Sequence, residues 1–130
     1  MKIYIATPVN ARKEPTLEKK QIAAYERVEE LTRMVKAHLP KANVCSVFSA
    51  IVVRMNGQPV SEDKIMGACV RMVMTCDVIL MDDGWGDSHG CKVERFTAQE
   101  YGKEIWTLFD LEALKVKKGE KNYEYKRTAR

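Results

Sequence analysis

The sequence predicts an α/β fold in which helices pack on both faces of a parallel sheet. Short β-rich runs alternate with longer segments whose apolar residues recur at helical spacing, which is the pattern of β-α-β units. The pattern is clearest over residues 76–94, where an apolar strand runs into a loop of glycines and acids and then into an amphipathic helix. We therefore expect a ligand crevice beyond the carboxyl end of that strand.

The first half of the chain predicts a strand, a long helix and a second strand. Lys2–Ala6 is β-rich and ends at a Thr-Pro pair. A helix then begins after Thr16, a suitable cap, and ends near His38. Its apolar positions follow helical spacing: Ala24, Val28, Leu31, Val35 and Leu39. Val44–Phe48 is predicted to be the second, buried strand.

The second half begins with an ambiguous segment. Ser49–Val53 could extend the second strand or start a loop, and residues 56–59 (Asn-Gly-Gln-Pro) have the composition of a turn. Ser61 suits the N-cap of a helix reaching about Thr75. Three further elements are predicted. They are a strand over Val78–Met81, a helix from about Gly90 to Tyr101 that is terminated by Gly102, and a strand over Glu104–Phe109.

Length and composition favour a single domain. A chain of 130 residues with 45% hydrophobic content can bury one core but not two. We assign residues 1–114 to that domain and 115–130 to a basic C-terminal tail that is poor in apolar residues. Much of the net charge of +4 lies in the tail, so we expect no specific nucleic-acid interface.

The cellular environment is also constrained by composition. The sequence has no stretch long and apolar enough to suggest a membrane span, and it has no signal peptide, so we expect a cytoplasmic protein. The four cysteines lack C-x-x-C spacing, and a domain of this size does not need disulfides. We expect reduced thiols.

The central loop supports three chemical interpretations. Glu94 could act as a nucleophile on a glycosidic carbon while Ser88, Gly90 and backbone N–H groups hold the ligand at the helix start. A metal site is the second interpretation, although the spacing of the candidate ligands matches no known metal-binding loop. These ligands would be Asp82, Asp83, Asp87, His89 and Glu94. Alternatively, acids and a serine simply favour a helix N-terminus, and Trp85 covers the core.

Several separate pieces of the sequence together resemble a known family. They are Ser88-x-Gly90-x-x-x-Glu94, the preceding Asp77-Val-Ile-Leu and Gly84-Trp85, and the opening Lys2-Ile-Tyr-Ile-Ala-Thr-Pro. In order and spacing they resemble the nucleoside 2-deoxyribosyltransferase-like superfamily, and more narrowly a branch of it found in bacterial and phage genomes. The likeness spans most of residues 1–109.

The resemblance implies an activity and a set of site residues. Glu94 would attack the anomeric carbon of a (deoxy)nucleoside or nucleotide, giving a glycosyl-enzyme that water or another base resolves. Serine at position 88 is typical of relatives that hydrolyse nucleoside 5′-monophosphates, which implies a 5′-phosphate on the ligand. The implied ligand-binding residues lie in two loops: Ala6, Thr7, Pro8, Asn10, Trp85, Asp87, Ser88 and Gly90. The chemistry requires no metal or organic cofactor, and the resemblance implies a homo-oligomer.

One position departs from the family pattern. Relatives carry an aspartate about eight residues before the position of Asp77, and here that register falls on Cys69, which we interpret as a core residue. Asp63 lies six residues earlier, nearly two helical turns away, and so does not occupy the position of that aspartate. No residue is therefore assigned to protonate the leaving base. We expect a flavodoxin-like three-layer sandwich with a four- to five-stranded parallel sheet. Its function is either N-glycosidase or deoxyribosyltransferase activity, or non-catalytic nucleotide sensing, or assembly alone.

Overall fold

The computed structural model describes residues 1–50, 54–55, 58–59 and 61–114. In chain order the elements are β1 (Lys2–Ala6), α1 (Leu17–His38), β2 (Asn43–Ser46), α2 (Val47–Ala50), β3 (Arg54–Met55), β4 (Gln58–Pro59), α3 (Glu62–Thr75), β5 (Val78–Met81), a 3-10 turn (Trp85–Asp87), α4 (His89–Glu100), β6 (Glu104–Trp106) and α5 (Leu108–Ala113). Four strands form a parallel sheet in the order β2-β1-β5-β6. This confirms the predicted α/β fold with a four-stranded parallel sheet.

β1 lies inside the sheet and sends alternate side chains to opposite faces. Ile3 and Ile5 join a core formed with α1 and α5. Tyr4 and Ala6 join a second core formed with α3 and α4. Because helices cover both faces of the sheet, the four strand residues after Lys2 are all buried, and the elements form three layers.

α1 forms where its capping and spacing signals predict. The Thr16 hydroxyl accepts a hydrogen bond from the backbone N–H of Lys19 at 3.1 Å, and the helix ends at His38. Four of the five predicted apolar positions are buried, namely Ala24, Val28, Leu31 and Val35. The fifth, Leu39, is partly buried and packs against the core. The prediction for this helix is confirmed.

The second strand is shorter than predicted. It ends at Ser46, and Val47–Ala50 forms a helical turn, so the prediction of a strand reaching Phe48 is wrong. The Ser46 hydroxyl accepts from the Phe48 N–H at 3.1 Å, and the Ser49 hydroxyl accepts from the Ser46 N–H at 3.2 Å. These local side-chain bonds compete with strand pairing and turn the chain. Within the ambiguous segment, residues 51–53 lie outside the described part.

The predicted turn at 56–59 overlaps a short hairpin. β3 and β4 pair antiparallel, with Arg54 opposite Pro59 and Met55 opposite Gln58. Gln58 and Pro59 therefore belong to a strand and not to the turn itself. Residues 56–57, the centre of the predicted turn, are outside the described residues.

The last parallel strand is also shorter than predicted. β6 ends at Trp106, and α5 follows at once, so the prediction of a strand up to Phe109 is wrong. The Thr107 hydroxyl accepts from the Asp110 N–H at 3.2 Å, and the Asp110 carboxylate accepts from the Thr107 N–H at 2.8 Å. This reciprocal capping box starts a helix and outweighs the β-propensity of the residues after it.

The elements around the central loop match their predicted bounds closely. α3 follows Ser61 and ends at Thr75, although the Ser61 side chain makes no capping hydrogen bond. β5 is confirmed, and α4 is followed by Gly102 in the left-handed region at φ 70°. The basic tail, residues 115–130, lies outside the described residues. Within the part of the chain that the structure describes, no helix has the length and hydrophobicity that a membrane crossing needs.

Candidate functional site

A cavity of about 620 Å³ lies where β1 ends and α4 begins. Its walls come from the loop after β1, from α2 and the first half of α3, and from the start of α4. This is the edge at which parallel α/β sheets bind ligands, and the volume is typical of a small-molecule site.

Most of the predicted site residues meet in this cavity. The loop after β1 contributes Thr7 and Asn10, and the start of α4 contributes Asp87, Ser88 and Gly90. Glu94 lines the same cavity. Two segments that are about 80 residues apart in sequence are thus brought together by the pairing of β1 with β5.

Three predicted binding residues lie elsewhere. Ala6 is 1% exposed and packs in the core between the sheet and α3/α4. Pro8 lines a neighbouring cavity of about 450 Å³. Trp85 packs against the core, and the Arg95 guanidinium lies 4.9 Å from the centre of its ring. The structure therefore gives no geometric support for ligand contacts by these three side chains.

Glu94 is buried in the second turn of α4. It is the sixth residue of the helix and is only 6% exposed. The Tyr4 hydroxyl donates a hydrogen bond of 2.6 Å to Glu94 Oε2. Burial raises the pKa of Glu94 to about 7, while hydrogen bonds from Tyr4 and Cys69 act in the opposite direction.

Cys69 and Asp63 are the two α3 residues relevant to proton transfer. Cys69 is 1% exposed in the core, as interpreted from the sequence, and burial raises the pKa of its thiol to about 12. The thiol therefore stays protonated at neutral pH and is a poor general acid. Asp63 is exposed at the cavity wall, and a hydrogen bond from Ser61 is the main cause that lowers its pKa. Asp63 is therefore ionised at neutral pH.

Ser88 is the N-cap of α4 and faces the cavity. Its hydroxyl oxygen accepts from the Cys91 N–H at 3.2 Å, which leaves the hydroxyl proton for another partner. The positive end of the helix dipole lies at the same place. This arrangement can hold a ligand hydroxyl or phosphate oxygen.

The cavity is acidic. Among its described lining residues, Asp63, Asp87 and Glu94 carry carboxyl groups, His89 carries an imidazole, and none is lysine or arginine. A phosphate at Ser88 would thus meet hydroxyl and N–H donors but no lysine or arginine from the described lining. The described residues also contain no group of three or more His, Cys, Asp and Glu side chains that could hold a metal ion.

Sequence reasoning missed the role of Asp82, which it considered only as a possible metal ligand. Its side chain is 3% exposed and accepts hydrogen bonds from the Thr7 hydroxyl at 2.6 Å and from two Arg27 nitrogens at 2.9 and 3.1 Å. Arg12 lies 3.9 Å away and donates to the Pro8 carbonyl at 2.7 Å. This cluster fixes the loop that forms one wall of the cavity. The partners lie 55 and 75 residues away in sequence, so no local motif indicates them.

Comparison with protein families matches residues 1–107 to the family described as Domain of unknown function (DUF4406). The chain belongs to this family. The DUF4406 match includes all four strands of the parallel sheet and every described residue that lines the cavity. Comparisons with curated proteins and with solved structures find no match. The family description states no activity, so a function for this DUF4406 domain has to be argued from the cavity itself.

Proposed function

We propose that this DUF4406 protein binds a (deoxy)nucleoside or its 5′-monophosphate and cleaves or transfers the N-glycosidic bond, with Glu94 as the nucleophile. The observation that supports this most is the Glu94 carboxyl group, which is buried at the wall of a nucleoside-sized cavity and oriented by the Tyr4 hydroxyl at 2.6 Å. The described residues give this carboxyl group no salt bridge that would occupy it.

The chemistry follows from the properties of a carboxylate. Ionised Glu94 forms a bond to the anomeric carbon as the bond from that carbon to the base breaks, and the base takes the electron pair. Water or a second base then displaces Glu94 and regenerates the free carboxylate. With a pKa of about 7, roughly half of the Glu94 side chains are ionised at pH 7, so the rate should increase as the pH rises through this value.

The cavity supports binding of the sugar's 5′ end at the start of α4. The Ser88 hydroxyl and the helix N-terminus suit either a 5′-hydroxyl or a 5′-phosphate. The carboxylates of Asp63 and Asp87 favour an uncharged 5′-hydroxyl, whereas the sequence resemblance favours the phosphate. Both forms therefore belong in the substrate panel.

The test is base release, followed by chromatography, from deoxynucleosides and their 5′-monophosphates. We expect the wild-type protein to release free base and Glu94→Gln to lose at least about a thousandfold in rate, because the amide cannot act as the nucleophile. Glu100→Gln is the matched control, since Glu100 is exposed on the same helix. Equal rates for Glu94→Gln and wild type would rule out the nucleophile role.

A second candidate function is nucleotide sensing without turnover. This candidate is favoured by Cys69, which stands where members of the superfamily that the sequence resembles carry an aspartate. Because the pKa of its thiol is about 12, Cys69 cannot act as a general acid at neutral pH. Calorimetry with the same panel separates the two functions. Binding without base release from any compound would support the sensor.

Two further expectations belong to this proposal. We propose a cytoplasmic location, supported by four cysteines that are all free thiols. We also propose a homo-oligomer, supported by the exposed apolar side chains of Val93 and Phe96 on α4 beside the cavity. Light scattering after size-exclusion chromatography measures the oligomeric state.

A further inference from the structure

Two of the four thiols touch each other in the core. The sulfur of Cys45, on β2, lies 3.4 Å from the sulfur of Cys76, which directly follows α3. The two residues are 31 positions apart in sequence, and both are buried free thiols. Neither residue lines the cavity that contains Glu94.

The two thiols differ in their electrostatic environment. A hydrogen bond from Cys45 lowers the pKa of Cys76, and the same contact raises the pKa of Cys45. The Lys2 ammonium group, which donates to Thr75 Oγ1 at 3.0 Å, lowers the pKa of both thiols, while burial and the carboxylate of Asp77 act in the opposite direction on the pKa of Cys76. Cys76 is therefore the thiol that more readily becomes a thiolate, which is the reactive form.

We propose that Cys45 and Cys76 are a redox modification site that forms an intramolecular disulfide when the protein meets a hydroperoxide. The Cys76 thiolate attacks one oxygen of hydrogen peroxide, the O–O bond breaks, and the released hydroxide takes up a proton to give water and a sulfenic acid at Cys76. The Cys45 thiol, losing its proton, then attacks that sulfur and displaces hydroxide as a second water. Two thiols lose two electrons and two protons, and one peroxide is reduced to two waters.

The positions of the two residues make the reaction feasible despite their burial. β2 is an edge strand of the parallel sheet, and Cys76 is the C-cap residue of α3, so both lie where local opening requires little disruption. A bond between them closes the segment that includes α2 and α3, and this segment contributes Val47, Asp63 and Met66 to the cavity wall.

Oxidation should therefore raise the stability of the fold. Cross-linking two residues 31 positions apart restricts the unfolded chain, so we expect the oxidised protein to unfold several degrees above the reduced one. Cys69 and Cys91 serve as internal comparisons. Burial raises the pKa of each to about 12, so their thiols should react more slowly.

The test treats the full-length reduced protein with hydrogen peroxide, blocks the remaining thiols with N-ethylmaleimide in denaturant, and measures the mass. We expect the loss of two hydrogens and the blocking of two cysteines. Cleavage at aspartates separates Cys76 from Cys91, and added tryptic cleavage after Arg71 separates Cys76 from Cys69. The combined digest should yield a peptide that joins Cys45 to Cys76. Cys69→Ser should keep this linkage, whereas Cys45→Ser should lose it.

Several results would overturn the proposal. They are four thiols that all remain reactive, a linkage through Cys69 or Cys91, or a sulfinic acid at Cys76 as the main product. Because the linkage is mapped in the wild-type chain, the test does not depend on whether a Cys45 or Cys76 variant folds. It is also independent of catalysis, since it uses no substrate.

Discussion

The buried carboxyl group of Glu94 should make the fold less stable as the pH rises. Its pKa is about 7 in the folded protein, compared with 4.5 for an exposed glutamate. The folded chain therefore holds this proton more tightly than the unfolded chain. The resulting stability is fully present below about pH 4.5 and is lost as the pH rises through about 7.

The size of the effect follows from the same two values. Each pKa unit corresponds to about 1.4 kcal/mol, so full ionisation of Glu94 costs the folded state about 3 kcal/mol. At pH 5 about 1 kcal/mol of this is already lost, and at pH 8 nearly all of it is lost. Glu94→Gln cannot ionise, and its amide oxygen can still accept the hydrogen bond from Tyr4.

Urea unfolding, followed by circular dichroism at pH 5 and pH 8, measures the difference. We expect the free energy of unfolding of Glu94→Gln, relative to wild type, to increase by about 2 kcal/mol between these two pH values. Glu100→Gln, on the exposed side of the same helix, should show no such increase. A constant difference between Glu94→Gln and wild type would refute the raised pKa.

Two further substitutions test the groups around Glu94 and the cavity wall. Tyr4→Phe removes a hydrogen bond to the ionised carboxylate, so the pKa of Glu94 should rise by about one further unit when measured by carbon-13 NMR. An unchanged pKa would contradict the hydrogen bond between Tyr4 and Glu94. Asp82→Ala removes the buried partner of the half-buried Arg27, which keeps only the exposed Glu30, so the free energy of unfolding in urea should fall by about 2–3 kcal/mol. Asp83→Ala, at an exposed neighbour, should cause no such loss, and equal losses would contradict the anchoring role.

Local signals account for most of the fold that could be predicted from sequence. The apolar spacing of α1, the cap at Thr16 and the left-handed Gly102 are properties of nearby residues, and the structure confirms them. The strand predicted up to Phe109 failed although the Thr107-x-x-Asp110 capping box was visible in the sequence. At this position the reciprocal capping box outweighs the β-rich composition of the flanking residues.

The site was predictable in location but not in electrostatics. The strand–loop–helix pattern indicated that Ser88 and Glu94 would share a crevice, and both line the cavity. The burial of Glu94 depends on where α4 begins and on Tyr4, which no local pattern links to it. One signal was available, because a tyrosine inside an apolar strand needs a hydrogen-bond partner for its hydroxyl.

The position of β1 has a consequence for synthesis on the ribosome. β1 is made before its partners β2 and β5, and Tyr4 meets a carboxylate 90 residues further along the chain. A nascent chain therefore carries an unpaired strand, whose residues after Lys2 are all buried in the finished fold, until β2 and then β5 emerge. Premature release before α4 would leave this strand free to join the edge of another molecule, so the strand that supports the site is also a point at which misassembly can start.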